Sequence, residues 1–323
     1  MCVYNGERYL PEQLKSIYAQ TLQASEVLIF DDRSTDRSRE VVLQFIEDNK
    51  LWETWKLFEN ETNKGWRLNF YDAILMAGGD IIFFADQDDV WYENKIEVMT
   101  AAMKNNNKIL TLSAKQHLID ADGNPIKKNI GIKACKRHNF KIKELSLYGD
   151  LQPLHWENRI GCAMAIRRSL QERLPNFKRS DAFFAHDIWA LNTAAVLGGS
   201  YSIDFPAIRY RIHDKNVSFG SEFAPVVTMS KAEKIAALEK HLKYFECLIN
   251  SFNSMSDLPD KKNLNKLVNV RNFYLKRISL RKSGGVGDGI SLVFRYWYFY
   301  IRFLGIRTAA ADLISPLRKG SFK

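Results

Sequence analysis

Asp80-Ile81-Ile82-Phe83-Phe84-Ala85-Asp86-Gln87-Asp88-Asp89 is a short apolar run that stops at a cluster of carboxylates. A continuous apolar run bounded by polar residues is the pattern of a strand buried on both faces of a parallel sheet. Carboxylates this close repel one another unless a cation lies among them. Oxygen donors suit Mg2+ or Mn2+, which keep waters and share their site with substrate phosphates. Taken alone, the same residues would read as an acidic turn capping a helix. A second run, Val27-Leu28-Ile29-Phe30, also stops at carboxylates, Asp31-Asp32. Parallel sheets bind ligands beyond the carboxyl ends of their strands, so two acidic strand ends predict one crevice.

Working outward, helices alternate with these strands. Ser34-Thr35-Asp36 offers cap chemistry for a helix running to about Asp48, with Val41, Val42, Phe45 and Ile46 on one face. Arg67 to Met76 reads as a helix ended by Gly78-Gly79, and Tyr92 to Lys104 as another. Ile109 to Ile119 and Gly161 to Arg167 read as strands, Asp187 to Leu197 as a helix, and Tyr201 to Ile212 as two short strands interrupted by Pro206. Residues 125–155 read as a variable polar insertion. The alternation predicts an α/β, Rossmann-like fold: a mixed, mainly parallel sheet flanked by helices, over residues 1–225. Residues 226–323 read as a helical region with breaks at Asn253 to Asp260 and Ser283 to Gly289.

Charge divides the chain at the same place. The net charge is +10, yet Val226 to Lys323 carries 18 Lys+Arg against 7 Asp+Glu, leaving 29 against 30 before it. A basic end points to an anionic partner. Four cysteines without a CxxC pair and six scattered histidines exclude a zinc spacing and a disulfide framework, and a reducing compartment is expected. Met1 leads straight into the polar turn Tyr4-Asn5-Gly6, so no secretory signal is expected.

Several blocks occur in register: Tyr4-Asn5-Gly6-Glu7-Arg8-Tyr9-Leu10, Asp31-Asp32-Arg33-Ser34-Thr35-Asp36, Asn63-Lys64-Gly65, Phe84 to Trp91, Gly161 to Ala165, His186-Asp187-Ile188-Trp189 and Tyr210 to Asn216. Together they resemble the inverting GT-A glycosyltransferases of family 2, the large bacterial polysaccharide family, and its rhamnosyltransferase-like sub-group in particular. The resemblance covers about residues 2–218. It implies a metal-dependent hexosyl transfer from a dTDP- or UDP-linked donor to a glycan or lipid-linked saccharide. Tyr4 would pack on the nucleobase and Asp32 would read it. Asn5, Glu7, Asp31 and Asn63 would complete the nucleotide side, with Asp86 on ribose and Gln87 beside it. Asp88 and His213 would hold Mn2+ or Mg2+. Asp187 would be the general base, an Asp of ordinary pKa, and Gly161, Cys162 and Trp189 would shape the acceptor side. Relatives of this kind carry a full apolar strand before the Tyr-Asn-Gly turn, whereas only Met1-Cys2-Val3 precede it here, so a shortened first strand with weaker nucleotide affinity is expected. Two rivals remain: a nucleotidyltransferase, against which the acidic, aromatic turn speaks, and a sugar-nucleotide-binding relic.

The end of the chain lies outside the resemblance. Phe294-Arg295-Tyr296-Trp297-Tyr298-Phe299-Tyr300-Ile301-Arg302-Phe303-Leu304 reads as one aromatic helix. Its arginines argue against a membrane span and for an interfacial helix on anionic lipid. The expected location is therefore the inner face of the plasma membrane, peripherally, with no nucleic-acid partner.

Overall fold

The computed structural model describes residues 1–126, 141–144, 160–173, 185–214, 216, 230–253, 261–300 and 305–314. The chain divides into two compact units, Met1–Ser146 with Trp156–Asn216, and Leu147–His155 with Val217–Lys323.

In the first unit, β1 (Cys2–Val3), β2 (Val27–Asp31) and β3 (Trp55–Glu59) form a parallel sheet in that order. β1 is two residues long and is bonded to β2. The Phe30 N–H donates to the Met1 carbonyl at 2.9 Å, and the α-ammonium of Met1 donates to the Leu28 carbonyl at 2.7 Å. A second sheet holds β4 (Ile81–Phe83), β5 (Val90–Trp91), β6 (Thr111–Ile119), β7 (Ile142–Glu144), β8 (Met164–Arg167) and β9 (Ser200–Arg211). Its order is β4-β8-β6-β9-β5, with β7 also on β9. Here β6 and β9 run parallel, while β8 is antiparallel to both β4 and β6. The Cys2 N–H reaches the Ala85 carbonyl at 3.4 Å, so β1 borders the segment that follows β4.

Helices α1 (Leu10–Tyr18), α2 (Ser38–Asp48), α3 (Trp66–Met76), α4 (Lys95–Asn105), α5 (Arg168–Gln171) and α6 (His186–Val196) flank these strands. Consecutive residues of β2 feed two cores. Ile29 packs with Leu10, Leu14, Val42, Ile46 and Met99, and Phe30 with Phe70, Ile74, Ile82, Phe84 and Trp189. Burial on both faces is why β2 reads as an unbroken apolar run.

Local chemistry shifted several boundaries. The Tyr92 N–H is committed to the Ala207 carbonyl at 3.0 Å, beside the β5–β9 pairing, so α4 starts at Lys95 rather than Tyr92. Ser34 does not cap α2; its hydroxyl donates to Asp31, and Asp36 accepts the Ser38 N–H at 2.9 Å instead. Pro206 does not split β9. It pairs with Lys115 where the register with β6 shifts, and such an irregularity tolerates a residue with no N–H. Gly161 to Arg167 is a 3-10 turn, Gly161–Ala163, before the strand β8.

The described part of the second unit is helical: α7 (Lys231–Asn253), α8 (Lys261–Ser283), α9 (Val286–Arg295), α10 (Trp297–Phe299) and α11 (Gly305–Ile314). The single aromatic helix expected from Phe294 is broken at Tyr296, whose φ of −118° and ψ of 26° leave helical geometry. Residues 301–304 lie outside the described residues, as do most of 125–155. Among the described residues no helix is long and apolar enough to cross a membrane.

Candidate active site

Three strand ends meet at the site. After β1 the chain turns at Asn5, whose φ of 49° is left-handed. Asn tolerates that conformation because its short side chain bonds locally. Asn5 Oδ1 accepts the Thr35 N–H at 2.8 Å, and the Asn5 N–H donates to Ser34 Oγ at 3.0 Å. The Glu7 carboxylate accepts the Arg37 N–H at 3.0 Å. The turn is thus laced to the segment after β2. The Gln87 side chain ties it to the segment after β4, accepting from Tyr4 N at 2.7 Å and donating to Tyr4 O at 3.0 Å. A Cβ on Gly6 would lie 2.4 Å from Gln87 Oε1, so only glycine lets that amide approach. The Tyr4 ring stays 47% exposed, open for a planar group to stack on it.

Asp31 and Asp32 differ in their work. The Asp31 carboxylate accepts the Ser34 N–H at 3.0 Å and closes its own turn. Asp32 is buried and accepts from Asn60 Nδ2, Lys64 N and Gly65 N, each at 2.8 Å. It therefore holds the Asn60–Gly65 loop, on which exposed Asn63 lies and accepts the Gly65 N–H at 3.0 Å.

Beyond β4 the carboxylates separate. Asp88 Oδ2 lies 2.9 Å from His213 Nε2, and the His213 ring is tilted by 31° against Tyr9 with centroids 4.9 Å apart. Asp89 is fully buried and accepts the Arg211 N–H at 3.1 Å. Asp86 is half-buried; burial, reinforced by Asp88 and Asp187, raises its carboxyl to about 7. Asp187, in the first turn of α6, accepts the Gly161 N–H at 3.1 Å and the Ile188 N–H at 2.8 Å. Burial raises it to about 6, against the ordinary value expected. The Gly161–Ala163 turn links Asp187 to Asp86, 101 residues apart in the chain: Gly161 donates to Asp187, and the ligand atom of the next residue, Cys162, lies within 4.8 Å of that of Asp86.

Two candidate cation positions compete. Asp86, Asp89 and Cys162 bring their ligand atoms within 4.8 Å of one another. That group fits an ion poorly. The Cys162 thiol is pushed well up by burial and by Asp89 and Asp86, and the buried Lys95 ammonium already donates to the Cys162 carbonyl at 2.6 Å. Asp88 and His213 fit better, because a carboxylate oxygen and an imidazole nitrogen lie 2.9 Å apart and both are donors that suit Mn2+.

Gly161 and Cys162, expected to shape the acceptor side, are buried in the turn before β8. A Cβ on Gly161 would meet His186 Nε2 at 2.6 Å and Asp187 Cβ at 3.3 Å, so this position is a close approach. Trp189 corrects its expectation. It is fully buried against Tyr71 in the core, where it seats α6 and lines no open surface. Arg211 went unassigned in the sequence although it lies in a quoted block. Its buried guanidinium donates to the Asp88 carbonyl at 2.8 Å, bonds Glu12, and lies 4.8 Å from the Tyr9 ring. Lys95 was read only as a helix residue. Its one signal was Trp91, four residues earlier, whose ring now lies 3.3 Å from its Nζ.

Known proteins resemble this chain. The family model described as glycosyl transferase family 2 matches residues 1–174. An uncharacterized glycosyltransferase of Haemophilus influenzae is 33% identical over 186 residues, 57% of this chain and 68% of that protein. The Escherichia coli UDP-Glc:alpha-D-GlcNAc-diphosphoundecaprenol beta-1,3-glucosyltransferase WfgD is 36% identical over 104 residues, 32% of this chain and only 39% of its own length. Among solved structures, Staphylococcus aureus TarS 1–349 with UDP superposes at a TM-score of 0.52 and 15% identity, covering 86% of this chain and 88% of that one. The Pyrobaculum calidifontis mannosyltransferase PcManGT, solved with GDP-Man and Mn2+, gives 0.50 at 18% identity over 98% and 84%. The shared fold is the GT-A architecture.

Proposed function

Because the chain belongs to glycosyl transferase family 2, we propose that it transfers a sugar, with inversion, from a nucleoside diphosphate to a saccharide acceptor. The observation that carries this reading is Asp187: a half-buried carboxylate that accepts the Gly161 N–H and is raised toward neutrality, beside the turn whose Cys162 adjoins Asp86. In an inverting transfer the acceptor hydroxyl attacks the anomeric carbon opposite the departing diphosphate. Asp187 takes the hydroxyl proton as the new bond forms. Tyr4 offers its ring to the base, and Asp32 presents the Asn60–Gly65 loop to the nucleoside. Asp86 and Gln87 face the ribose and diphosphate. Asp88 and His213 would hold Mn2+ or Mg2+, which would offset charge on the leaving diphosphate.

The donor is a pyrimidine nucleotide sugar, a UDP-hexose or dTDP-rhamnose. UDP is supported by the name of the E. coli relative and by the UDP held in TarS; the rhamnosyltransferase-like reading rests on the sequence blocks alone. By the same analogy the acceptor is a lipid-diphosphate-linked saccharide, which would place the protein peripherally at the inner face of the plasma membrane. The second unit supports that placement. Val286, Ile290 and Phe294 share one exposed side of α9, continued by exposed Trp297 and Tyr298, while Leu292 and Tyr296 turn inward.

The test is Asp187→Asn, assayed with UDP-glucose and dTDP-rhamnose, Mn2+, and a synthetic lipid-diphosphate N-acetylglucosamine acceptor. Turnover should fall by about a hundredfold or more while thermal-shift binding of the donor persists. An Asn variant that still transfers sugar sinks the assignment.

A further inference from the structure

Lys95 opens α4 and is fully buried. A buried ammonium is costly unless it is paired and hydrogen-bonded. Its donor bond goes to the carbonyl of Cys162, 67 residues away in the chain, at 2.6 Å. The Trp91 ring covers it at 3.3 Å. Burial lowers its pKa to about 7, while Cys162, Asp89 and Asp86 pull it upward.

Cys162 is the middle residue of the Gly161–Ala163 turn, which the Ala163 N–H closes onto the Ile160 carbonyl at 3.0 Å. Gly161, at the start of the same turn, donates its N–H to Asp187 Oδ2 at 3.1 Å. A closed turn this short moves as one piece. Holding its middle carbonyl therefore holds its first N–H.

We infer that Lys95 is a positioning residue for transfer: its ammonium pins the Gly161–Ala163 turn, and the turn orients the Asp187 carboxylate. The inference rests on Asp187 being the base. It also links the two sides of the site, since Lys95 follows the Asp86–Asp89 segment and bonds to the turn that faces the acceptor. A lysine that only balanced the charge of Asp86 and Asp89 would act on donor binding instead.

Two full-length variants separate these roles. Lys95→Met and Lys95→Gln both lose the charge, but only glutamine keeps a hydrogen-bond donor. Transfer is measured from UDP-glucose, or from dTDP-rhamnose if that is the donor bound, to the same synthetic acceptor. Donor Kd and hydrogen exchange at the Gly161 amide are measured alongside. K95M should lose about twentyfold to a hundredfold in kcat, the cost of a misplaced catalytic group, with donor Kd changed less than about threefold. Its Gly161 amide should exchange faster, and K95Q should recover most of both properties. Turnover and Gly161 protection changing together supports the inference, in whichever variant folds. Either one changing alone overturns it, as does K95M with unaltered turnover, or equal losses in both variants with Gly161 still protected. An active D187N chain would sink the base assignment instead; Gly161 exchange reports on the Lys95 link whichever carboxylate is the base.

Discussion

Asp187 shows how one residue acquires a role from its surroundings. Low local dielectric disfavours the carboxylate, and two backbone N–H groups only partly offset that. A general base must be unprotonated, so kcat should fall as pH drops through about 6. A pH series at saturating donor checks this; a limb in the ordinary carboxylate range would point to another base. Stability follows the opposite sign. The folded carboxyl binds its proton more tightly than an unfolded one, so its contribution is complete at low pH and is lost as pH rises past about 6. Asp32 is the contrast at this scale. Its three short donors fix a loop rather than tune a proton.

At the scale of elements, the helical unit is closed by an ion cluster rather than by apolar packing alone. Asp312 on α11 is fully buried and accepts from Arg277 Nε on α8 at 2.7 Å and from the Tyr300 hydroxyl at 2.8 Å, with Arg281 on its other oxygen. Removing one partner of such a cluster leaves buried charge uncompensated. Asp312→Ala should therefore cost about 3–5 kcal/mol in the second unit. Urea unfolding followed by tryptophan fluorescence would measure the loss, and an unchanged midpoint would show that the cluster is dispensable. Helix α9 turns an apolar side outward, Val286, Ile290 and Phe294. Its other side, Gly289, Leu292 and Tyr296, is already used inside the unit.

At the scale of the whole molecule, the unit that carries the candidate site is near neutral and the helical unit carries the basic excess. The 77% exposed Phe294 and 57% exposed Trp297 belong with that basic excess. Exposed apolar side chains in a unit with a basic excess would favour an anionic bilayer. Replacing Ile290, Phe294 and Trp297 by serine should abolish sedimentation with phosphatidylglycerol vesicles and leave turnover on a water-soluble acceptor unchanged. Binding that survives all three changes removes the membrane role.

The apolar runs before Asp31 and Asp86, the helix periods and the order of the blocks were all legible in the chain. They record burial and hydrogen-bonding needs that act over a few residues. The two acidic strand ends were legible too, but β2 and β4 belong to different sheets, which the apolar runs alone did not distinguish. What the sequence by itself determined was the α/β frame, the family blocks, and which residue types stood at the strand ends. Only the tertiary structure decided that Trp189 is core, that β9 runs through Pro206, that Arg211 backs Asp88, and that Lys95 is buried against Cys162. The reason is physical: burial, proton affinity and bonds between residues 67 or 123 positions apart depend on neighbours that a linear pattern does not specify.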